Sequence, residues 1–229
     1  MRFDEWEPIY EEILRDFGFD REDDVRARDL LAEHVESFDF DRLSLQGRTV
    51  AIAGGSPVLE TELDVLRGAD VIIAASTAGD VLRRAAVDID LLVTDLDKTP
   101  QTAIDVSREG VPVAVHAHGD NIPAVRKYLP AFQVPNVLGT TQAEPLADVY
   151  NFGGFTDGDR GAFLADHLGA GSLVFPGWDF DDPHVSRRKR QKLEWAERLL
   201  LLLEDRREET FAVLDGRRDD IQRIESPPP

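Results

Sequence analysis

The chain contains no cysteine, only 4 lysines, and no apolar run as long as the ~18 residues that a membrane-spanning helix needs. The first absence excludes disulfides, thiolate zinc sites and a cysteine nucleophile. The third, together with an acidic N-terminus (Met1-Arg2-Phe3-Asp4-Glu5) unlike a signal peptide, points to a cytoplasmic protein without a membrane partner. The lysine shortage belongs to a wider charge imbalance. Against 4 Lys and 22 Arg stand 28 Asp and 17 Glu, so the formal net charge is −19 over 229 residues. A surface of that sign repels polyanions, which argues against a general nucleic-acid binder. Asp-rich, Lys-poor surfaces suit molar salt, where the Debye length falls to about 3 Å and self-repulsion is screened. The composition therefore predicts a halophilic protein. A hydrophobic content of 42% supports a real core rather than a disordered chain.

What is present divides along the chain. Residues 1–46 are charged, with apolar positions at helical spacing. Ile9, Ile13 and Leu14 share one face and Leu30, Leu31 and Val35 another, so a helical N-terminal segment is predicted. Residues 47–184 change texture. Short apolar runs appear at Thr49–Ala53, Val71–Ala75, Leu91–Thr94, Pro112–His116, Asn136–Leu138 and Ser172–Phe175. Helix-like stretches separate the first four, and the runs are apolar throughout. That pattern predicts an α/β, Rossmann-like, mostly parallel sheet flanked by helices and buried on both faces. Residues 185–226 read as a long helix, about Val185 to Glu209, and then a small hairpin around Asp215-Gly216. The apolar run Leu199–Leu203 could be core or an interface in a homo-oligomer. Pro227-Pro228-Pro229 read as a frayed tail.

In an open parallel sheet, ligands bind beyond the carboxyl ends of the strands. The residues after each run are small, hydroxylic or acidic: Gly54-Gly55-Ser56-Pro57, Ser76-Thr77, Asp95-Leu96-Asp97, His116-Ala117-His118-Gly119-Asp120-Asn121, Gly139-Thr140-Thr141-Gln142 and Gly154-Phe155-Thr156-Asp157-Gly158-Asp159-Arg160. Asp-x-Asp alone carries no information, because chance supplies several such pairs in so acidic a chain. Position does. Asp95, Asp97, Asp120, Asp157 and Asp159 each follow a predicted strand, and converging carboxylates beside Gly-rich turns suit Mg²⁺ and a nucleotide polyphosphate. Gly54-Gly55 lacks the Lys-Ser/Thr of a Walker A loop. It serves equally as a tight turn or as a phosphate approach. His116 and His118 alternate, so they face opposite ways, and only His118 is expected at the site. Lys189 and Lys192 lie on one helix face and, in a chain that avoids lysine, read as phosphate contacts.

Val93-Thr94-Asp95-Leu96-Asp97, the His116–Asn121 segment and the Gly154–Arg160 segment, in this order and spacing, resemble the archaeal 6-hydroxymethyl-7,8-dihydropterin pyrophosphokinases. That family is distantly similar in fold to thiamin pyrophosphokinase. Lys98 departs from the glycine common at that position. The resemblance implies transfer of the β,γ-diphosphate of ATP to the hydroxymethyl oxygen of the pterin, giving AMP, in folate or tetrahydromethanopterin synthesis. It implies Mg²⁺ on Asp95, Asp97 and Asp120, with Asp157 and Asp159 beside them. Nucleotide or substrate contacts would come from Gly54, Gly55, Ser56, Ser76, Thr77, His118, Asn121, Thr140, Thr156 and Arg160, with Lys189 and Lys192. Phe155 and Trp178 are candidates to stack on the pterin. Two alternatives compete: a thiamin-type acceptor, and a haloacid-dehalogenase-like phosphatase with Asp95 as nucleophile. The second fits poorly, since its Asp motif normally follows the first strand.

Overall fold

A computed structural model describes residues 1–224. Two helices open the chain, α1 (Phe3–Phe17) and α2 (Arg21–Ala32). The α/β body then runs β1 (Thr49–Ala53), α3 (Leu63–Leu66), β2 (Val71–Ala75), α4 (Ala78–Arg84), β3 (Leu91–Thr94), α5 (Pro100–Arg108), β4 (Val113–Ala117), α6 (Ile122–Tyr128), β5 (Val137–Thr141), β6 (Val149–Tyr150), α7 (Asp157–His167) and β7 (Ser172–Val174). A long helix, α8 (Arg187–Arg207), follows. The seven strands form one sheet in the order β6-β5-β4-β3-β2-β1-β7, and every pair is parallel.

The strand sequences explain the layering. Apart from Thr49, Thr94 and His116, Val, Ile, Leu and Ala make up β1 to β4 without alternation, so both faces of the sheet need cover. On one face Ile52, Ile73 and Val93 pack with Ile9 and Ile13 of α1, Phe163 of α7 and Leu199 to Leu203 of α8. On the other, Ala51, Ala74 and Leu92 pack with Leu31 of α2, Leu82 of α4 and Ile104 of α5. Leu199–Leu203 is therefore core, buried on every side, and offers no face to a second copy.

Strand order reverses at β1. The first six strands step one way across the sheet, and the chain then returns over the other face through α7 to set β7 beside β1. Such a reversal opens a crevice beyond the strand ends, because the connections on its two sides leave in opposite directions.

The expected C-terminal hairpin does not form. After α8 the described residues contain a short 3₁₀ turn, Ala212–Leu214, and no strand. Gly216 does turn, at φ 74°. But Phe211 and Leu214 are drawn into the core, and the arginines pair with acids on and near α8 rather than taking places in a strand. Arg218 reaches Glu204 at 2.7 Å, and Arg217 bonds Glu197 and Asp181. The Pro227–Pro229 tail lies outside the described residues.

Phe163 is fully buried between the sheet and α8. Phe163→Ala should lower the unfolding free energy by about 3–5 kcal/mol, the usual cost of emptying an aromatic core position. Urea unfolding in molar KCl measures it; a loss below about 1 kcal/mol would mean that this core is not close-packed.

Candidate active site

The carboxyl ends of β1, β2, β3, β4 and β5 open on a cleft of about 490 Å³, within the range of small-molecule sites. Its glycine floor is made by two turns in contact. Gly54 N donates to Pro176 O at 2.8 Å and Ser56 N to Gly177 O at 3.1 Å. A Cβ on Gly54 would strike the Gly177 carbonyl oxygen, and one on Gly158 would meet the Trp178 ring. Only glycine permits these approaches, which leave backbone exposed to a ligand. Trp178 is fixed by its Nε1–H donating to Ile52 O at 2.9 Å.

Two strand ends carry left-handed residues that are not glycine. Ser76 has φ 51° and Leu96 φ 65°. Leu96 is held there by its side chain, which is buried in the core, and by Leu96 N donating to Thr94 Oγ1 at 3.0 Å. Such strain, of order 1–3 kcal/mol per residue, persists where the surroundings over-determine it. Here it turns Asp95, Asp97 and Lys98 toward the cleft.

Asp95 is the acid at the centre. His118 Nε2 lies 3.5 Å from its Oδ2, and Asp97 N donates to Oδ1 at 3.2 Å. Burial alone would raise its pKa, but hydrogen bonds from His118 and Asp97 and the Arg160 charge hold it below the ordinary value. Asp97 moves the other way, to about 6, through desolvation, then its hydrogen bond to Asp95 and that carboxylate's charge. Asp157 is pushed to about 8 by burial and by Asp95, although Arg160 Nη1 stands 3.3 Å from its Oδ1. The facing lysines are depressed, mainly by burial: Lys189 with Lys98 nearby, Lys192 with Arg160 nearby. Cations and carboxylates thus crowd one space, each disturbing the other's titration.

The structure brings together most of the residues expected from sequence. Gly54, Gly55, Ser56, Ser76, Thr77, Asp95, Asp97, His118, Phe155, Thr156, Asp157, Arg160, Trp178, Lys189 and Lys192 line this cleft. Four others lie elsewhere. Asp120 is exposed, with Arg188 Nη2 3.8 Å away. Asp159 is spent as the cap of α7: its carboxylate accepts from the backbone N–H of Phe155 and Thr156 and from the Thr156 hydroxyl. Asn121 is buried behind the cleft, its amide donating to Asp95 O at 2.7 Å and His116 O at 2.6 Å. Thr140 bonds Nδ1 of the buried His116 at 3.1 Å. Sequence reasoning passed over Lys98, Gln142, Phe19 and Arg188, which also line it. Lys98 could have been found. Three of the chain's four lysines, 98, 189 and 192, face this one cleft.

Asp95, Asp97 and Asp157 supply hard oxygen donors, and burial first, then the neighbouring Asp95, raises the pKa of Asp97 and Asp157, a condition that a dication relieves. Yet among the described residues no three acidic or histidine side chains close around one ion. The donor set fits Mg²⁺ held by one or two carboxylates and completed by phosphate oxygens and water.

The 6-hydroxymethylpterin diphosphokinase MptE-like family model matches residues 29–184. The chain is 39% identical to the 6-hydroxymethyl-7,8-dihydropterin pyrophosphokinase of Methanothermobacter thermautotrophicus, over 89% of this chain and 96% of that one. It is 39% identical to the enzyme of the same name from Pyrococcus furiosus, over 87% and 93%. The Methanocaldococcus jannaschii enzyme is 34% identical, over 92% and 99%.

The titrations predict a pH dependence. Asp97 and Asp157 have raised folded pKa values, so through these two groups the metal-free native state binds more protons than the unfolded state between pH 4 and about 8. Their contribution to stability falls as pH rises, through about 6 for Asp97 and about 8 for Asp157. Burial lowers His116, His167 and the N-terminal amine, which contribute the opposite slope in the same window, so the effect of Asp157 is read by difference. In EDTA, the change in melting temperature from pH 5 to pH 8.5 should be more negative in the wild type than in Asp157→Asn. Equal slopes in the two proteins would show that Asp157 does not titrate there.

Proposed function

The chain belongs to the MptE-like 6-hydroxymethylpterin diphosphokinase family, and we propose how this cleft performs that family's reaction. The activity is that of a 6-hydroxymethyl-7,8-dihydropterin pyrophosphokinase in archaeal pterin biosynthesis. ATP gives its β,γ-diphosphate. The hydroxymethyl oxygen forms a bond to the β-phosphorus, the bond from that phosphorus to the α,β-bridging oxygen breaks, AMP leaves, and the hydroxyl proton is lost. The family match removes the phosphatase alternative and favours the pterin over thiamin as acceptor.

One observation carries the assignment of roles: Asp95, Asp97 and Asp157 line one glycine-floored cleft together with Lys98, Lys189, Lys192 and Arg160. A triphosphate bound there meets cations directly and meets the acids through a metal. Asp95 and Asp97 would hold Mg²⁺, with Asp157 beside them, and a bound ion would supply neutralisation of the phosphate charge. The chain's own part is positioning and electrostatics, which dominate phosphoryl-type transfers. His118 keeps Asp95 ionised. Gly54, Gly55, Ser56, Ser76 and Thr77 present backbone and hydroxyl groups to the nucleotide. Lys189, Lys192 and Arg160 bind the transferring diphosphate. Trp178 offers a flat surface for a pterin, whereas Phe155 is buried in the core against Phe17, with Lys192 Nζ 5.7 Å from its ring centre.

With Mg²⁺, ATP and the hydroxymethyl dihydropterin, the protein should release AMP; ADP or free phosphate as the nucleotide-coupled product would overturn this reading. Asp95→Asn and Asp97→Asn should each slow turnover on the order of a hundredfold or more, the scale of losing one preorganised electrostatic group, with the melting temperature held. Normal rates in both would remove the metal assignment.

The cytoplasm and molar salt are the proposed setting. Even if all 26 Lys and Arg paired with acids, 19 acids of the 45 would remain unmatched. Their repulsion reaches about 10 Å at 0.1 M salt and about 3 Å at 1 M. The melting temperature should rise from 0.1 M to 2 M KCl. A flat or falling curve would mean that the acidic surface is not a salt adaptation.

A further inference from the structure

Arg160 is aimed by a buried chain of hydrogen bonds that begins in the N-terminal helices, before the span that the family model matches. Its Nη1 faces Asp157, and its Nη2 donates to Gln142 Oε1 at 3.2 Å. Gln142 is nearly inaccessible, and its Nε2 donates to Asp24 Oδ2 at 2.7 Å. Asp24, on α2, is 3% exposed. It takes two further donors: the Tyr10 hydroxyl of α1 at 2.7 Å and Gly119 N at 2.7 Å. Trp6 Nε1, also of α1, donates to Gln142 O at 2.9 Å and pins that backbone.

The chemistry permits one direction only. A guanidinium offers donors and no acceptor, while a carboxylate offers acceptors and no donor. An amide between them satisfies both solely by giving its oxygen to Arg160 and its nitrogen to Asp24. A carboxylate buried among three donors at position 24 therefore sets which end of Gln142 meets the guanidinium. Through Gly119 the same carboxylate also holds the turn that follows His118, the partner of Asp95.

We propose that Asp24 and Gln142 are positioning residues: together they orient Arg160 toward the bound polyphosphate. The inference rests on the phosphate role given to Arg160 above, and its test separates the two.

The probe is inorganic tripolyphosphate with Mg²⁺ in molar KCl, read by equilibrium binding and so independent of turnover. Arg160→Lys tests the phosphate role alone; wild-type affinity there would defeat that role and this inference with it. If that role holds, Asp24→Asn should weaken binding about fivefold, the scale of one hydrogen bond. The double variant should bind no worse than Arg160→Lys, because both changes break one chain. Multiplying effects, or wild-type affinity in Asp24→Asn, would overturn the relay. The exchanged pair Asp24→Asn with Gln142→Glu supplies the decisive arm. In that pair the amide on α2 can donate to the carboxylate placed at position 142, which still gives an oxygen to Arg160, while the Tyr10 hydroxyl, which shares Asp24 Oδ2 with Gln142, must turn to accept from the same amide. Affinity should then recover about twofold or more over Asp24→Asn alone. A general packing role predicts no such rescue, and its absence would count against the relay. If Asp24→Asn alone does not fold, Gln142→Met takes its place in the cycle under the same two outcomes.

Discussion

An ionised carboxylate at Asp95, 9% exposed at the end of β3, is the constraint around which the rest of the site is arranged. A buried charge is tolerated only when paired and hydrogen-bonded. Asp95 meets that condition with His118 and the Asp97 backbone, while Asn121 grips its carbonyl and that of His116 together. The neighbours bear the consequences. Burial raises Asp97 and Asp157, the charge of Asp95 adds to it, and both titrate high. Arg160 Nη1 stands 3.3 Å from Asp157, which titrates high all the same. Charges of both signs are thus held in one cleft.

The parallel sheet makes this arrangement possible. Six strands deliver their carboxyl ends to one edge, and the return through α7 adds the Gly177 turn against the Gly54 turn. The same return puts the start of α7 beside β3, so Asp157 and Arg160 arrive opposite Asp95. Asp159, two residues on, points the other way into the cap. Adjacent acids in one Asp-Gly-Asp thus do unrelated work.

Much of this is legible in the sequence. Unbroken apolar runs at regular spacing specify buried parallel strands, because alternating strands would waste half their surface. Strand-end position picks out Asp95, Asp97 and Asp157 from a background in which motif counting fails. It overreaches at Asp120 because a short 3₁₀ turn, Gly119–Asn121, swings that side chain outward. It overreaches at Asp159 because Thr156-x-x-Asp159 is a capping box, a local signal that was present and unused. The hairpin fails for a tertiary reason: Phe211 and Leu214 are drawn into the core, and the Arg217 and Arg218 side chains are anchored to acids on α8. Asp24 and Gln142 are invisible, since nothing local joins residues 118 positions apart.

That last distance bears on how the two parts of the chain cooperate. The helices α1 and α2 could be regarded as a cover for the sheet, and Ile9, Ile13 and Leu31 do serve that purpose. A cover needs only apolar side chains. Trp6 and Asp24 instead direct polar groups inward to Gln142 and Gly119, and Tyr10 donates to Asp24 behind them. Burying them unpaired would cost on the order of 1–3 kcal/mol each, and apolar residues of similar shape would avoid that risk. Their presence is better explained by geometry than by stability. An amide held at one end by a carboxylate fixes the oxygen at its other end, and that oxygen meets Arg160 Nη2 while Nη1 stays beside Asp157.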